Sequence, residues 1–258
     1  MVNEQEWAAK NGFVLWPSHP TLLAYTRLFE GTAFTHAMLI SIERTVIGTL
    51  LTLAMTTITA YIVSRHGLPG RRIIIFCILI TILFPGGILP LYLVVKELHL
   101  LDSIWSLVVP TMVNSWSVLV LKQFFENLPQ EVEESARLDG AGEIVLMWAV
   151  MIPLCLPAMA AIGLFTAVFH WNAWFDALLY IRNESLYPMQ LLMSNMLTNP
   201  DPGTSVFNSF NVNISSNKVS TESLKMAVVV YGTFPILCIY PFLQKYFTKG
   251  VYLGAVKG

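Results

Sequence analysis

Five stretches without a single Asp, Glu, Lys or Arg run through this chain of 258 residues: Thr45 to Ser64, Ile73 to Val95, Ser103 to Leu121, Ile144 to Phe175 and Met226 to Gln244. A helix needs roughly 20 apolar residues to cross the hydrocarbon core of a bilayer, so each stretch supplies one span and the fourth has length to spare. Pro153 and Pro157 lie in that surplus. Prolines break helices, so they are expected to separate an interfacial helix, Ile144 to Ile152, from a span running from Ala158 to Ile181. Only 12% of the residues are charged, against about a quarter in soluble domains. The pattern predicts an all-α integral membrane protein with five transmembrane helices.

Basic residues in short connections orient such a protein. The loop from Arg65 to Arg72 carries three arginines, and Lys245, Lys249 and Lys257 follow the last span, which places both on the cytoplasmic side. Two spans then return the chain to the cytosol between Leu121 and Ala158. Lys96, Arg182 and Lys225 fall near outer span ends, against the trend. Residues 1–35 are left outside as an extracytoplasmic lip without an apolar export segment, which leaves a preceding span unaccounted for. The lip includes a short amphipathic helix over Thr21 to Phe29. The rest, 36–258, is one transmembrane unit. It contains a cytoplasmic loop, 125–157, and a polar outer loop, 182–223, with an amphipathic segment from Tyr187 to Leu197.

The chemistry of catalysis is missing. Cys77, Cys155 and Cys238 match no metal or redox spacing and read as small hydrophobes. There is no Gly-rich phosphate loop ending in Lys-Ser/Thr, no zinc helix and no Gly-x-Ser-x-Gly elbow. A net charge of -1 gives no general attraction to nucleic acid.

The cytoplasmic loop carries the most specific signal. Pro129 suits the start of a helix, Gln130 to Leu138 are mostly helix formers, and Glu131, Glu133 and Glu134 favour its positive end. Asp139-Gly140 ends it, Gly140 by taking positive φ and Asp139 by capping a second helix from about Ala141. Ile144, Met147, Trp148 and Met151 then form one apolar stripe. Such a helix-turn-helix either lies on the bilayer surface or docks a soluble partner.

Glu134-Ser135-Ala136-Arg137-Leu138-Asp139-Gly140-Ala141, with Pro153 and Pro157 downstream, resembles the EAA loop of ABC-type import permeases. That pattern is Glu-Ala-Ala, two residues, Asp-Gly-Ala and an apolar run closing in Leu-Pro; Ser135 stands for the first alanine. The ending Lys249-Gly250-Val251-Tyr252-Leu253-Gly254-Ala255-Val256-Lys257-Gly258 is similar to that of carbohydrate permeases like the maltose permease second subunit. Trp171-Asn172 is similar to a pair in the span after their EAA loop. The resemblance covers roughly residues 20–258 and is nearest to permeases for complex oligo- and polysaccharides.

The resemblance implies a bacterial inner-membrane subunit of six spans in the family norm, with its C-terminus cytoplasmic. It implies a second permease subunit, two cytoplasmic ATPases and an extracytoplasmic solute-binding protein as partners. ATP and Mg are bound by those ATPases, and no cofactor is held by this chain. Glu134 would meet the ATPase, Asp139 and Gly140 would hold the turn, and Ala136 and Ala141 would permit close approach, with Ser135 among the coupling residues in place of the first alanine.

Substrate-pathway candidates follow from the chemistry of sugars, which offer hydroxyls and apolar ring faces. Asn172 and Asp176, four apart, share a helical face, with Trp171, Trp174 and Phe175 as an aromatic group. The tryptophans read more readily as interfacial anchors. An ionisable residue near the membrane needs a cavity or partner, which raises Asp176, and also Glu43 and Arg44. Asn114 and Trp116 in the third span are further candidates. Phe84-Pro85-Gly86-Gly87-Ile88-Leu89-Pro90 interrupts the second span, either as a kink beside the pathway or as a packing kink. Arg182, Lys218 and Lys225 on the outer side are compatible with acidic glycans such as alginate, or with a binding protein. The rival class is a secondary transporter driven by an ion gradient, which would show intramembrane acidic or His relays and inverted repeats.

Overall fold

The computed structural model describes residues 22–198 apart from 31, together with 223 and 225–237, and every regular element among them is helical. Helix α1 (Leu23–Glu30) is followed by the long α2 (Thr32–Ser64), which begins before the first charge-free stretch and carries Glu43 and Arg44 within it. The second stretch forms α3 (Arg71–Leu83) and α4 (Ile88–Glu97), bent by 115°. The bend lies at the Pro85-Gly86-Gly87 run, where Gly87 has φ +85°. Two helices among the described residues are long and apolar enough to cross a membrane, α2 and the helix beginning at Glu143, and three if the bent pair is one span.

The third stretch is not one helix. It comprises α5 (Trp105–Val108), a 3-10 turn (Val109–Thr111) and α6 (Ser115–Glu126). Pro110 removes a main-chain donor, and the Asn114 side chain accepts from Ser117 N at 2.9 Å, starting a new helix. After α7 (Gln130–Leu138), α8 runs without interruption from Glu143 to Asn172, so Pro153 and Pro157 do not separate an interfacial helix from a span. The reason is a π-helical turn, Leu146–Met151, in which Ile152 N donates five residues back to Met147 O. This wider winding ends beside Pro153, which falls in the first turn of the α-helical winding that follows, while Pro157 lies within that winding. The same winding brings Leu146 and Met151, five apart, to one buried side. The expected stripe is therefore split, with Ile144 and Trp148 exposed and Met151 inside.

The expected fourth span also ends early, at Asn172 rather than Ile181; α9 (Phe175–Tyr180) and α10 (Met189–Thr198) follow. The last described helix is α11 (Lys225–Leu237). The remainder of the fifth stretch, the C-terminal motif, Cys238, residues 1–21 of the expected lip and 199–222 of the outer loop lie outside the described residues.

Two compact units are formed. In the unit of residues up to Arg44 and from Trp171 to Ile239, Ala24 and Leu28 of α1 pack with Phe34, Ala37, Met189, Leu192, Met196, Ala227 and Val228. In the unit Thr45–His170, Ala60 and Tyr61 of α2 meet Val118, Leu121 and Phe125 of α6 and Leu146, Met151, Cys155, Ala158 and Ile162 of α8. Helix α3 has no buried residue, and Ile73 and Phe76 are exposed on it. Such an apolar surface requires lipid or another subunit to cover it.

Candidate functional site

Main-chain bonds close the turn after α7. Gly140 N donates to Arg137 O and Ala141 N to Ala136 O, both at 3.0 Å, while Gly140 takes φ +85°. This is the helix-ending clasp that favours glycine, because a Cβ strains a left-handed backbone. Asp139 closes α7 but does not cap the next helix, which starts at Glu143 behind Gly142 with no side-chain cap. A short cap-free linker replaces the expected direct entry from Ala141.

Ion pairs brace this hairpin. Arg65, just beyond α2, reaches Glu133 Oε1 at 2.5 Å, and Arg137 reaches the same oxygen at 3.0 Å and Glu143 Oε1 at 2.5 Å. Tyr61 OH donates to Glu143 Oε2 at 2.7 Å, and its ring lies under the Arg65 guanidinium, 4.1 Å from centroid to carbon. Nearby, Arg71 pairs with Glu126 and donates through Nε to Val63 O, and Lys122 reaches Glu126 at 2.6 Å. Glu143 first, then Glu133, raise the pKa of Arg137 above its ordinary value. Partly exposed pairs of this kind contribute about 0–1 kcal/mol each, so the network sets position more than stability.

On the outer side of the hairpin Glu134 and Ser135 are exposed, and Glu134 makes no ion pair among the described residues. Ala136 is half-buried against the α2–α6–α8 cluster. Leu138 is 89% exposed beside the turn, with Ile144 and Trp148 also outward. A carboxylate, small residues and an apolar rim therefore project together.

In the other unit, the chain breaks at Ala173 and Trp174, so Asn172 and Asp176 belong to different helices and their spacing of four does not align them. The freed carbonyl of Ala173 accepts from Arg44 Nη1 at 2.9 Å, and Arg44 Nη2 pairs with Asp176. Trp171 is buried and donates from Nε1 to Gly232 O at 3.2 Å, apart in role from the exposed Trp174, which meets Phe175 edge-on at 5.7 Å. Asn172 is exposed. Arg182 is exposed, Lys225 is buried, and Lys218 lies outside the described residues.

A cavity of about 480 Å³ opens within the unit Thr45–His170, walled by Thr52 of α2, Pro110, Thr111, Val113 and Asn114, Trp116 and Ser117 of α6, and Phe165, Thr166, Phe169 and His170 of α8. Asn114 lies on it, with its carbonyl oxygen engaged as the α6 cap. His170 packs against Gly48, where a Cβ would come within 2.6 Å of the imidazole.

No family model matches the chain. It is 39% identical over 246 residues, 95% of its length and 85% of the relative's, to the polygalacturonan/rhamnogalacturonan transport system permease protein YtcP of Bacillus subtilis. It is 28% identical over 241 residues, 91% of its length and 78% of the relative's, to the arabinooligosaccharides transport system permease protein AraQ of Bacillus subtilis. A crystal structure of a bacterial ABC transporter involved in the import of the acidic polysaccharide alginate contains a chain of the same fold, with TM-score 0.86 and 30% identity over 93% of this chain and 85% of that one. The chain belongs to the permease subunits of ABC sugar importers.

As a permease it is an integral membrane transport component rather than an enzyme. Sequence reasoning missed two features of the permease. The Arg44 clamp had a signal, since Arg44 and Asp176 each called for a cavity or a partner, but what was missed is that they meet each other across 132 residues. The bracing by Tyr61 and Arg65 had none, since aromatic and basic residues at a span end are ordinary anchors.

Proposed function

We infer that this permease pairs with a second permease subunit to form the path for an oligo- or polysaccharide delivered by an extracytoplasmic binding protein. The hairpin of α7 and the start of α8 couples it to cytoplasmic ATPases, which bind ATP and Mg. The observation that carries this is the hairpin itself: a clasped turn displaying Glu134, Gly140 and the apolar rim, braced from behind to the end of α2. A force applied at such an element passes to the span through buried packing and ion pairs rather than through a flexible loop. Glu134, Ser135, Ala136, Asp139, Gly140 and Ala141 form the contact; of the pathway candidates Asn114, Asn172 and Trp174 are exposed, while Trp171 and Asp176 are engaged by Gly232 O and Arg44. Polygalacturonan and alginate in the names of its relatives support a glycan that contains uronate.

The test is purification of the complex from membranes, then reconstitution in liposomes without an ion gradient. An ATPase and a second permease co-purify, substrate with its binding protein stimulates ATP hydrolysis, and uptake requires ATP on the hairpin side. Charge reversal at Glu134 weakens the stimulation more than it weakens insertion. Uptake by the chain alone, driven by a proton or sodium gradient, overturns the assignment in favour of a secondary transporter.

A further inference from the structure

The carboxylates behind the hairpin favour the arginine that needs them less. The Arg65 side chain is 18% exposed, yet only Nη1 is hydrogen-bonded, to Glu133; Nε and Nη2 are buried and make no hydrogen bond among the described residues. Arg137 is 44% exposed and holds two carboxylates, Glu133 and Glu143. A cationic donor left unsatisfied costs more when buried than at the surface, where water replaces the partner. The nearest group that could complete Arg65 is Glu143, whose Oε2 lies 3.9 Å from Arg65 Nε. That oxygen accepts from Tyr61 OH, and Oε1 accepts from Arg137 Nη2. A shift of about 1 Å would bring it to charge-assisted hydrogen-bond distance of Arg65. There is room for the shift: a cavity of about 520 Å³ separates the ends of α2 and α6 from the hairpin, and Arg65, Glu133, Glu134, Arg137 and Glu143 all line it. Glu143 follows Gly142 at the start of its helix, with no side-chain cap to fix it.

The geometry points to Arg137 as an ATPase contact held in reserve: Glu143 occupies it until docking, and Arg65 releases it by taking Glu143 over. This rests on the importer reading above. Arg137 follows Glu134 by three residues on α7 and both are exposed, so one face of the helix offers the ATPase a carboxylate and a guanidinium together. Before docking, Glu143 neutralises Arg137. An acceptor on the ATPase then competes for Arg137, the hairpin closes on the end of α2, and Glu143 passes to Arg65 Nε and Nη2. The exchange keeps every charge paired and moves the carboxylate to the more buried cation. Arg65 touches no partner subunit in this scheme; it is a positioning residue that acts through Glu143 on Arg137.

The test titrates ATPase subunits onto the full chain and its second permease in nanodiscs, without nucleotide. Arg65→Lys keeps the charge and one donor for Glu133 but lacks the planar fork that holds a second carboxylate. It weakens ATPase binding about tenfold, the equivalent of one charge-assisted hydrogen bond. Adding Glu143→Gln to Arg65→Lys restores most of that loss, because Arg137 no longer has to leave a carboxylate. A network that only braces the hairpin gives the opposite result, since each further loss loosens it, and a rescue cannot come from a misfolded chain. Arg137→Ala also weakens binding, and in the Arg137→Ala chain Glu143→Gln rescues nothing. Wild-type affinity in Arg65→Lys, or an Arg65→Lys, Glu143→Gln chain that binds no better than Arg65→Lys alone, overturns the handover and leaves the importer reading standing. Failure of the wild-type permease pair to bind any ATPase overturns the importer reading and the handover with it.

Discussion

Removing the Asp176 carboxylate separates two roles for that residue, a contact with sugar and a counter-charge for Arg44. Arg44 has 0% side-chain exposure and Asp176 23%, and the guanidinium has Ala173 O as its other acceptor, with Nε unpaired. In Asp176→Ala a buried cation keeps one neutral partner. Breaking one side of a buried ion pair costs about 3–5 kcal/mol; the partial exposure of Asp176 argues for the lower end, about 3 kcal/mol, or roughly a hundredfold in the unfolding equilibrium. Asp176→Asn keeps an acceptor and loses less. Arg44→Met with Asp176→Leu removes both desolvated charges and is expected within about 1 kcal/mol of wild type, because two apolar side chains carry no desolvation penalty. Thermal unfolding of the detergent-solubilised complex, followed by size-exclusion fluorescence, measures the series. If Asp176→Ala is as stable as wild type while transport disappears, the clamp is refuted and the carboxylate serves the substrate.

Gly140→Leu strains the left-handed turn by about 1–2 kcal/mol. Its new side chain enters open space, with nothing within 4 Å of a Cβ there. Insertion is therefore normal and co-purification of the ATPase falls; a wild-type yield of complex with normal transport refutes the contact. Gly48→Ala drives a Cβ to within 2.6 Å of the His170 ring and costs about 1–3 kcal/mol by overpacking. His170→Ala in the same chain relieves the clash, and equal melting temperatures for wild type and Gly48→Ala refute that packing. Tyr61→Phe removes the hydroxyl 2.7 Å from Glu143 while leaving the ring beneath Arg65. A hydrogen bond to a charged group contributes about 1.5–3 kcal/mol, so amide exchange across Gln130 to Ala141 accelerates about tenfold or more. Unchanged exchange shows that the hairpin is held without it.

Glu134 to Ala141 was legible because its constraints are local. A helix end needs a glycine at positive φ, so Gly140 announces the clasp, and composition alone calls for a membrane protein. Length without charge was a poorer guide to helices. Ser103 to Leu121 has the apolarity of a span, yet Pro110 and the Asn114 cap divide it, because Asn competes for backbone amides wherever a turn is available. Pro153 and Pro157 mislead in the opposite direction: Pro153 follows a π-helical turn that changes which carbonyl each amide uses, and Pro157 is carried inside the continuing helix.

The sequence by itself determined the membrane class, the helical class and the turn at Gly140, all matters of composition or of single residues and their near neighbours. Only the tertiary structure decided what the polar residues in apolar segments are for. Arg44 and Asp176 stand 132 residues apart and meet because a helix breaks between Asn172 and Phe175. Thr52, Thr111 and Thr166 come from three separate segments and share one cavity. Buried charge and buried hydroxyl are costly unless satisfied, so their positions record the partners that folding brings to them, and spacing along the chain does not encode which partners those are.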